Sequence, residues 1–216
     1  MNRRRILIVT TSYLPLVGGS ELAIKEITRR LPEFDFDLVT GMPNLPVPRQ
    51  EKIDAVNVYR VGSNIHRWRF LLPKAFLPVA VFWKIMSLRR KNKYDLIHVF
   101  QASAAGGGAW LANLLIPKLP LLLTLQEGES LSHQPLLTRL FRRLIISRAD
   151  HVTTISKYLA DYAKGVWPGV KVDVIPNGVN VSVFASAANF RQSVRERLGV
   201  SFGDTVIMTV SRLVLK

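Results

Sequence analysis

Apolar runs of strand length alternate with longer helical stretches along most of the chain. The first run is 5–10, and 95–100 and Leu121–Leu125 are two more; they are apolar at consecutive rather than alternate positions. A strand of that kind is buried on both faces, and alternation with helices is typical of a parallel sheet covered on both sides. The sequence therefore predicts an α/β fold with a doubly wound, Rossmann-like parallel sheet.

The predicted elements follow one another as βαβ units. The predicted strands are 5–10, 36–40, 55–61, 95–100, 121–125, 151–155 and 172–175. The predicted helices are 20–30, 75–90, 136–147 and 157–164, with a further helix of small residues between 100 and 121.

The pattern changes after Pro176-Asn177-Gly178, where a polar stretch, a helix near 191–198 and one more apolar run, 205–210, follow. We expect 1–180 to form the Rossmann-like domain, 181–204 a linker with a helix, and 205–216 the first strand of a second, incomplete Rossmann-like domain. The alternative is that the last strand joins the first sheet. We favour a chain that is the front part of a longer protein, because a lone strand cannot bury both of its faces.

Composition narrows the function. The chain is 48% hydrophobic and 21% charged, which excludes a disordered protein. It has no cysteine, so disulfides, thiolate metal sites and cysteine nucleophiles are excluded. Thirty Lys and Arg against fifteen Asp and Glu give a net charge of +15, which favours an anionic partner.

The loop after the first strand contains Gly18 and Gly19, and a helix follows it directly. In doubly wound folds ligands bind at the carboxyl ends of the strands, and a helix N-terminus presents free N–H groups to an anion. The spacing is neither G-x-G-x-x-G nor a Walker loop, and no acidic residue follows the second strand at Thr40-Gly41, which disfavours a nicotinamide cofactor. The alternative is a tight turn with a helix cap.

A set of short motifs, in this order and spacing, resembles the GT-B glycosyltransferases of family 4, and the turn IPNGV at 175–179 is the most specific of them. The motifs are Gly18-Gly19-x-Glu21, Asp95-Leu96-Ile97-His98, Ala149-Asp150-His151-Val152 with Ile155-Ser156, IPNGV with Phe184, Leu198-Gly199 and Ser211-Arg212-Leu213-Val214. The resemblance implies the N-terminal, acceptor-side half of a GT-B fold, cut at the start of the donor-binding domain.

It also implies an activity: transfer of a sugar from a nucleotide-sugar donor to a glycan or lipid-linked acceptor of the cell envelope, with retention, and without a bound cofactor or an essential metal. By resemblance, Gly18, Gly19, Arg212 and Lys216 bind the donor phosphates. Expected residues of the acceptor side or cleft are Glu21, His98, Thr124, Ser156, Asn177 and Gly178. Because the partner domain is missing, we expect the 216-residue chain to be inactive alone.

The sequence departs from the family at one position. Many relatives have T-x-H after the fifth strand, whereas this chain has Thr124-Leu125-Gln126, and an amide cannot take up a proton at neutral pH. Candidate catalytic residues are therefore Gln126, Glu127 and Glu129, with the leaving phosphate as another acceptor for the proton. The alternative for the two glutamates is a solvated loop, and for His98 it is a structural role.

Metal binding has little support in the sequence. The four histidines, at positions 66, 98, 133 and 151, have no metal-ligand spacing. Asp35-Phe36-Asp37 imitates a D-x-D motif but opens a strand instead of following one.

Between Asp54 and Asp95 the chain has nine cations and no acidic residue. They are Arg60, Arg67, Arg69, Lys74, Lys84, Arg89, Arg90, Lys91 and Lys93, with Trp68, Phe70, Phe76, Phe82 and Trp83 among them. A second basic patch comprises Arg139, Arg142, Arg143 and Arg148. Cations beside aromatic residues suit an anionic membrane surface; the alternative is a core helix with a solvated basic rim.

A competing class is a non-enzymatic basic module that binds membrane or nucleic acid, although no nucleic-acid-binding motif is present. The apolar run 6–9 is too short for a signal peptide, and the stretch 70–86 contains Lys74 and Lys84 and is too short to span a bilayer. We therefore expect a cytoplasmic protein, either free or peripheral on the inner face of the plasma membrane.

Overall fold

The computed structural model describes residues 3–62, 76–116, 119–127, 136–186, 190–201 and 203–210. Its centre is an eight-stranded sheet of order β3-β4-β2-β1-β5-β6-β7-β8, in which only the β3–β4 pair is antiparallel. The strands are β1 (Arg4–Val9), β2 (Phe34–Gly41), β3 (Gln50–Ile53), β4 (Val56–Val61), β5 (Leu96–Phe100), β6 (Leu121–Leu125), β7 (His151–Thr154) and β8 (Val172–Val174).

Helices connect the parallel strands. They are α1 (Gly19–Arg30), α2 (Leu77–Lys91), α3 (Ala104–Leu115), α4 (Leu136–Arg148), α5 (Lys157–Val166), α6 (Val181–Ser186) and α7 (Arg191–Arg197). By their contacts the residues fall into two compact units, Met1–Asn177 and Gly178–Lys216. The sheet and α1 to α5 form the first unit, and α6 and α7 belong to the second.

The core has two parts, one on each face of the sheet. Helix α1 covers one face with Ile24, which packs with Ile8, Phe36 and Leu38 of the strands. Helices α2 to α5 cover the other face and bury alternate strand residues such as Val99. The doubly wound, mostly parallel sheet predicted from the sequence is therefore confirmed.

Small residues in α3 allow α2 and α3 to approach closely. A Cβ at Gly108 would lie 2.5 Å from the backbone oxygen of Pro78 and 2.6 Å from the Cβ of Val81. Only glycine fits there, because real Cβ atoms do not approach backbone atoms so closely. The predicted helix of small residues is thus a close-packed helix in the centre of its layer.

Two elements have no counterpart in the sequence-based prediction. Strand β3 has only four residues, Gln50–Ile53, three of them polar, and it pairs antiparallel with β4 through a turn in which Asp54 has a φ of 52°. The other element is α6. Both are short, so they contain too few residues for a clear hydrophobic period.

The segment 205–210, for which the sequence predicts a strand, is not assigned to one in the structure. Ile207 and Val210 are 92% and 85% exposed. A strand needs a neighbouring backbone to complete its hydrogen bonds, and the described residues provide none for this segment.

Two of the cations predicted to form basic surface are buried instead, and a third is partly buried. Arg60 is 3% exposed; it donates to the carbonyl oxygens of Leu14 and Pro48 and pairs with Glu51. Arg142 is 8% exposed, and Arg148 donates to Asn113. Arg67, Arg69 and Lys74 lie outside the described residues.

Within the described part of the chain, none of the helices combines the length and the apolar character that a bilayer crossing requires.

Candidate active site

Loops that follow four strands of the sheet are linked by side chains at its carboxyl edge. Thr11, after β1, shares a 2.6 Å hydrogen bond with Ser103, after β5. Glu127, after β6, accepts a hydrogen bond of 3.0 Å from the backbone N–H of Ala102. Gln126 reaches Asn177, after β8, at 3.2 Å. The carboxyl edge is where ligands bind in folds of this class, so this linked cluster is the candidate site.

The two glycines of the first loop have different surroundings. Gly18 is the N-cap of α1, and a Cβ there would lie 2.5 Å from Oε2 of Glu21. Gly19 begins the helix, and a Cβ there would meet no atom within 4 Å. The first turn of α1 is therefore closed by Glu21 at Gly18 and open at Gly19. An anion can approach the free N–H groups of this turn from the open side.

Glu21 stabilises the loop from inside. Its residue is 5% exposed, and its carboxylate accepts hydrogen bonds from the hydroxyls of Ser12 and, at 3.1 Å, Ser20. A carboxylate in the first turn is also favoured by the helix dipole. The structure thus places this predicted cleft residue under the loop, where it fixes the loop's shape.

His98 belongs to a chain of hydrogen bonds across three strands. Its Nε2 lies 2.7 Å from Oγ1 of Thr124, which lies 2.7 Å from Oγ1 of Thr153. The imidazole also stacks on Phe100, with ring centroids 4.3 Å apart. Burial lowers the pKa of His98 from 6.5 to about 3, so the ring is neutral at physiological pH.

Gln126 and Asn177 come from distant parts of the sequence and meet through one hydrogen bond, in which Nε2 of Gln126 donates to Oδ1 of Asn177. The other amide atom of Gln126, Oε1, is buried and has no partner among the described residues. The IPNGV turn is thereby connected to the end of β6, which is the position of the family's T-x-H motif. An unpaired acceptor there can receive a hydrogen bond from a ligand.

Glu127 is paired inside the protein. Its side chain is 7% exposed, and Oε1 lies 3.7 Å from the NH2 nitrogen of Arg142, whose side chain is 10% exposed. Oε2 of Glu127 is buried without a partner in the described part of the chain. The sequence does not predict this pair, because Arg142 is part of a run of arginines that indicates a surface patch. The available signal was its spacing: Arg142 is three and four residues from the buried Ile145 and Ile146, on the same side of α4.

Gln101 is a further candidate that the sequence does not predict; it follows β5 with a φ of 68°. Its N–H donates to the carbonyl oxygen of Thr124, and its own carbonyl accepts from Ser103. Residues other than glycine rarely adopt this left-handed conformation, and such residues cluster at functional sites. No sequence pattern marks the position.

Asp35 and Asp37, the imitation of a D-x-D motif, have structural partners. Asp35 pairs with Arg5 at 3.2 Å. Asp37 is 1% exposed and accepts hydrogen bonds from Tyr94 and from Asn57 at 2.8 Å. Among the residues that the structure describes, no group of three or more His, Asp or Glu side chains could hold a metal ion.

The other predicted site residues divide into two groups. Ser156 caps α5 by accepting a hydrogen bond from the N–H of Leu159, and Gly178 is exposed. Glu129, Arg212 and Lys216 lie outside the described residues. Their roles stay predictions.

Solved structures with this fold include glycosyltransferases. Sucrose-phosphate synthase from Thermosynechococcus elongatus is 16% identical with a TM-score of 0.66, over 92% of this chain and 53% of that one. Anabaena HepE, in complex with UDP, is 18% identical with a TM-score of 0.60, over 91% and 50%. The fold of the sheet is therefore that of a Rossmann-like domain of the GT-B type.

The family model of glycosyltransferase family 4 matches residues 17–183, and the chain belongs to that family. An uncharacterized glycosyltransferase of Methanocaldococcus jannaschii is 26% identical over 220 residues, which are 97% of this chain and 55% of the relative. The chain thus spans about half the length of the curated relative it matches. The resemblance noted in the sequence is confirmed.

Proposed function

We propose that this chain is the acceptor-side half of a glycosyltransferase that transfers a sugar from a nucleotide-sugar donor to a glycan or lipid-linked acceptor. Membership of the family supports a transferase over a non-enzymatic basic module. The observation that carries the proposal is the open first turn of α1 at Gly19, at the carboxyl edge of the sheet. The complex of HepE with UDP and glucose supports a nucleoside diphosphate sugar as the donor.

In the reaction that we propose, the bond between the anomeric carbon and the diphosphate breaks while the acceptor oxygen bonds to that carbon with retention. The backbone N–H groups at Gly18 and Gly19 stabilise the charge that develops on the diphosphate. A phosphate oxygen of the leaving group takes the acceptor's proton, so the chain needs no strong base. The neutral His98 and the amide Gln126 then contribute hydrogen bonds at the site and do not transfer the proton.

Glu127 is better suited to positioning than to proton transfer, because its carboxylate binds the N–H of Ala102 and pairs with Arg142. It connects the loops after β5 and β6 and so holds Gln126 in place. This assignment leaves Glu129, outside the described residues, as the remaining carboxylate candidate.

The half of the site on this chain is expected to bind the donor weakly. When one of two lobes is missing, its contacts and its exclusion of water are lost. We expect the 216-residue chain to bind nucleotide sugars no tighter than about 1 mM, or about −4 kcal/mol, and to transfer no sugar. Calorimetry with UDP-, GDP- and ADP-sugars measures this, and micromolar binding by the chain alone would refute a site shared with a second domain.

The glycine loop is tested in the full-length protein that carries this chain. Gly19→Val fills the open side of the first turn of α1, so we expect at least tenfold lower kcat/KM with an unchanged melting temperature. Gly165→Val is the matched control. Gly165 is also in a helix, and a Cβ there would meet no atom within 4 Å, but it lies near the C-terminal end of α5. Equal kinetics of the two variants would show that Gly19 serves the turn only.

A further inference from the structure

The outer side of α2 carries a row of exposed apolar residues. Phe76, just before the helix, is 60% exposed, and Val79 and Trp83 are 44% and 63% exposed. Their spacing of three and four residues places them on one side of the helix. The opposite side is buried against the sheet and α3. Large apolar side chains aligned on an exposed helix face are typical of an interaction surface.

This row runs along the molecule from one edge of the sheet towards the other. Leu77, at the start of α2, packs at the carboxyl edge, since a Cβ built at Gly41 would lie 3.7 Å from it. Lys91, at the end of α2, lies at the amino edge, because only 92–95 separate it from the first residue of β5. The 15-residue helix is about 22 Å long. Its apolar row therefore begins beside the edge that carries the candidate active site.

A basic cavity of about 500 Å³ lies at the other end of α2. It is lined by Met86, Arg89, Arg90, Lys91, Asn92, Lys93, Tyr94, Ile116 and Leu119. Leu114 and Leu115, at the end of α3 beside Ile116, are 47% and 65% exposed. The cavity is large enough for a small ligand and has both cations and apolar residues around it.

The four cations of the cavity have no acidic partner within the described ranges. The hydroxyl of Tyr94, in the wall of the cavity, donates a hydrogen bond to Asp37 and is therefore not available to donate to a ligand. All four cations are exposed to solvent, so they are accessible to an anionic ligand. A phosphate group has the complementary charge and accepts hydrogen bonds from guanidinium groups.

We propose that the outer face of α2 and the basic cavity at its end form a docking surface for an anionic membrane, with the cavity binding the phosphate of a lipid headgroup. The exposed Val79, Leu114 and Leu115 favour a membrane over a nucleic acid, whose backbone gives such side chains nothing apolar to contact. The apolar row of α2 enters the membrane interface, while the cations contact the lipid headgroups. The inference does not depend on the proposed function, and its test needs no sugar-transfer assay.

The test is partition of the 216-residue chain onto vesicles of phosphatidylcholine, alone or with about 30% phosphatidylglycerol. We expect binding to the anionic vesicles only, weakened by salt. Arg89→Gln/Arg90→Gln should lower the partition coefficient about 25-fold, since each cation near an anionic surface contributes about fivefold. Lys157→Gln/Lys164→Gln, on the exposed side of α5, removes the same charge elsewhere and should change it less than fivefold.

Brominated lipids test the apolar row. They should quench the tryptophan fluorescence of the bound chain, which has four tryptophans, and Trp83→Phe should reduce that quenching while it preserves binding. Trp83→Ser should weaken binding to anionic vesicles without lowering the melting temperature, because the side chain is mostly exposed.

Three results would overturn the proposal. Equal partition onto neutral and anionic vesicles would remove the electrostatic argument, and equal losses in the two double variants would show that the charge acts without a site. The third result would be that the chain does not bind vesicles but binds glycerol phosphate or a single-stranded oligonucleotide in solution, and that Arg89→Gln/Arg90→Gln abolishes this binding.

Discussion

The two edges of the sheet use polar residues in opposite ways. At the carboxyl edge, side chains such as Glu127, Thr11 and Gln126 bind across loops that are far apart in sequence. At the amino edge, Arg89 and Arg90 lie beside a cavity and have no acidic partner in the described residues. Polar groups that a protein needs for its own stability are paired within it, whereas unpaired ones are available to a ligand. The comparison predicts that substitutions of the paired side chains at the carboxyl edge change stability, and that substitutions of the unpaired cations at the amino edge change binding.

The largest effect is expected from Arg142→Met. The substitution leaves the carboxylate of Glu127, 7% exposed, without its cation, and breaking a buried pair from one side costs about 3 kcal/mol of unfolding free energy. Urea denaturation measures this loss.

The matched control for that pair is the double variant Glu127→Leu/Arg142→Met, which removes both charges together. It should recover more than half of the loss, because an apolar pair of similar volume replaces a buried ion pair at little cost. A single variant as stable as the wild type would mean that this edge is no more tightly paired than the other.

The architecture could be predicted from the sequence because most of it depends on local patterns. Seven of the eight strands were predicted, since buried parallel strands such as Leu121–Leu125 are apolar at consecutive positions. Strand β3 is not predicted because its four residues, three of them polar, are too few to show a hydrophobic period. The family was also found from the sequence, because the motifs keep their order and spacing.

The pairing of the site could not be predicted in the same way. That Glu127 meets Arg142 and the N–H of Ala102 depends on how two loops and helix α4 pack at one edge. The same limit applies to the cations: Arg60 and Arg90 look alike in the sequence, yet one is buried and the other exposed. Charge counted along the chain therefore overestimated the basic surface.

A smaller effect at the carboxyl edge comes from pH. The pKa of His98 falls from 6.5 to about 3 on folding because the ring is buried. Between these values the unfolded chain binds a proton that the folded chain does not, so stability falls as the pH falls below 6.5. We expect His98 to account for about 1 kcal/mol of the unfolding free energy lost between about pH 7.5 and 5.5.

The comparison is made with His98→Gln, which retains a hydrogen-bonding side chain but cannot titrate in this range. The wild type should lose about 1 kcal/mol more than the variant over the same pH interval in urea denaturation. Identical slopes would show that His98 takes up protons in the folded state as readily as in the unfolded chain.

The smallest effect is expected at the amino edge. Arg89→Gln/Arg90→Gln removes two exposed cations from the last turn of α2, where they interact favourably with the helix dipole. The same change relieves repulsion among the cations of α2. Such repulsion is present in this helix, because the pKa of Lys84 is lowered by burial and, to a smaller extent, by the charge of Lys91. These contributions oppose each other, so the unfolding free energy should change by less than about 0.5 kcal/mol. Urea denaturation of this variant and of Arg142→Met under the same conditions measures the difference. A loss of about 2 kcal/mol or more would mean that the amino-edge cations are paired within the protein, as Arg142 is at the carboxyl edge.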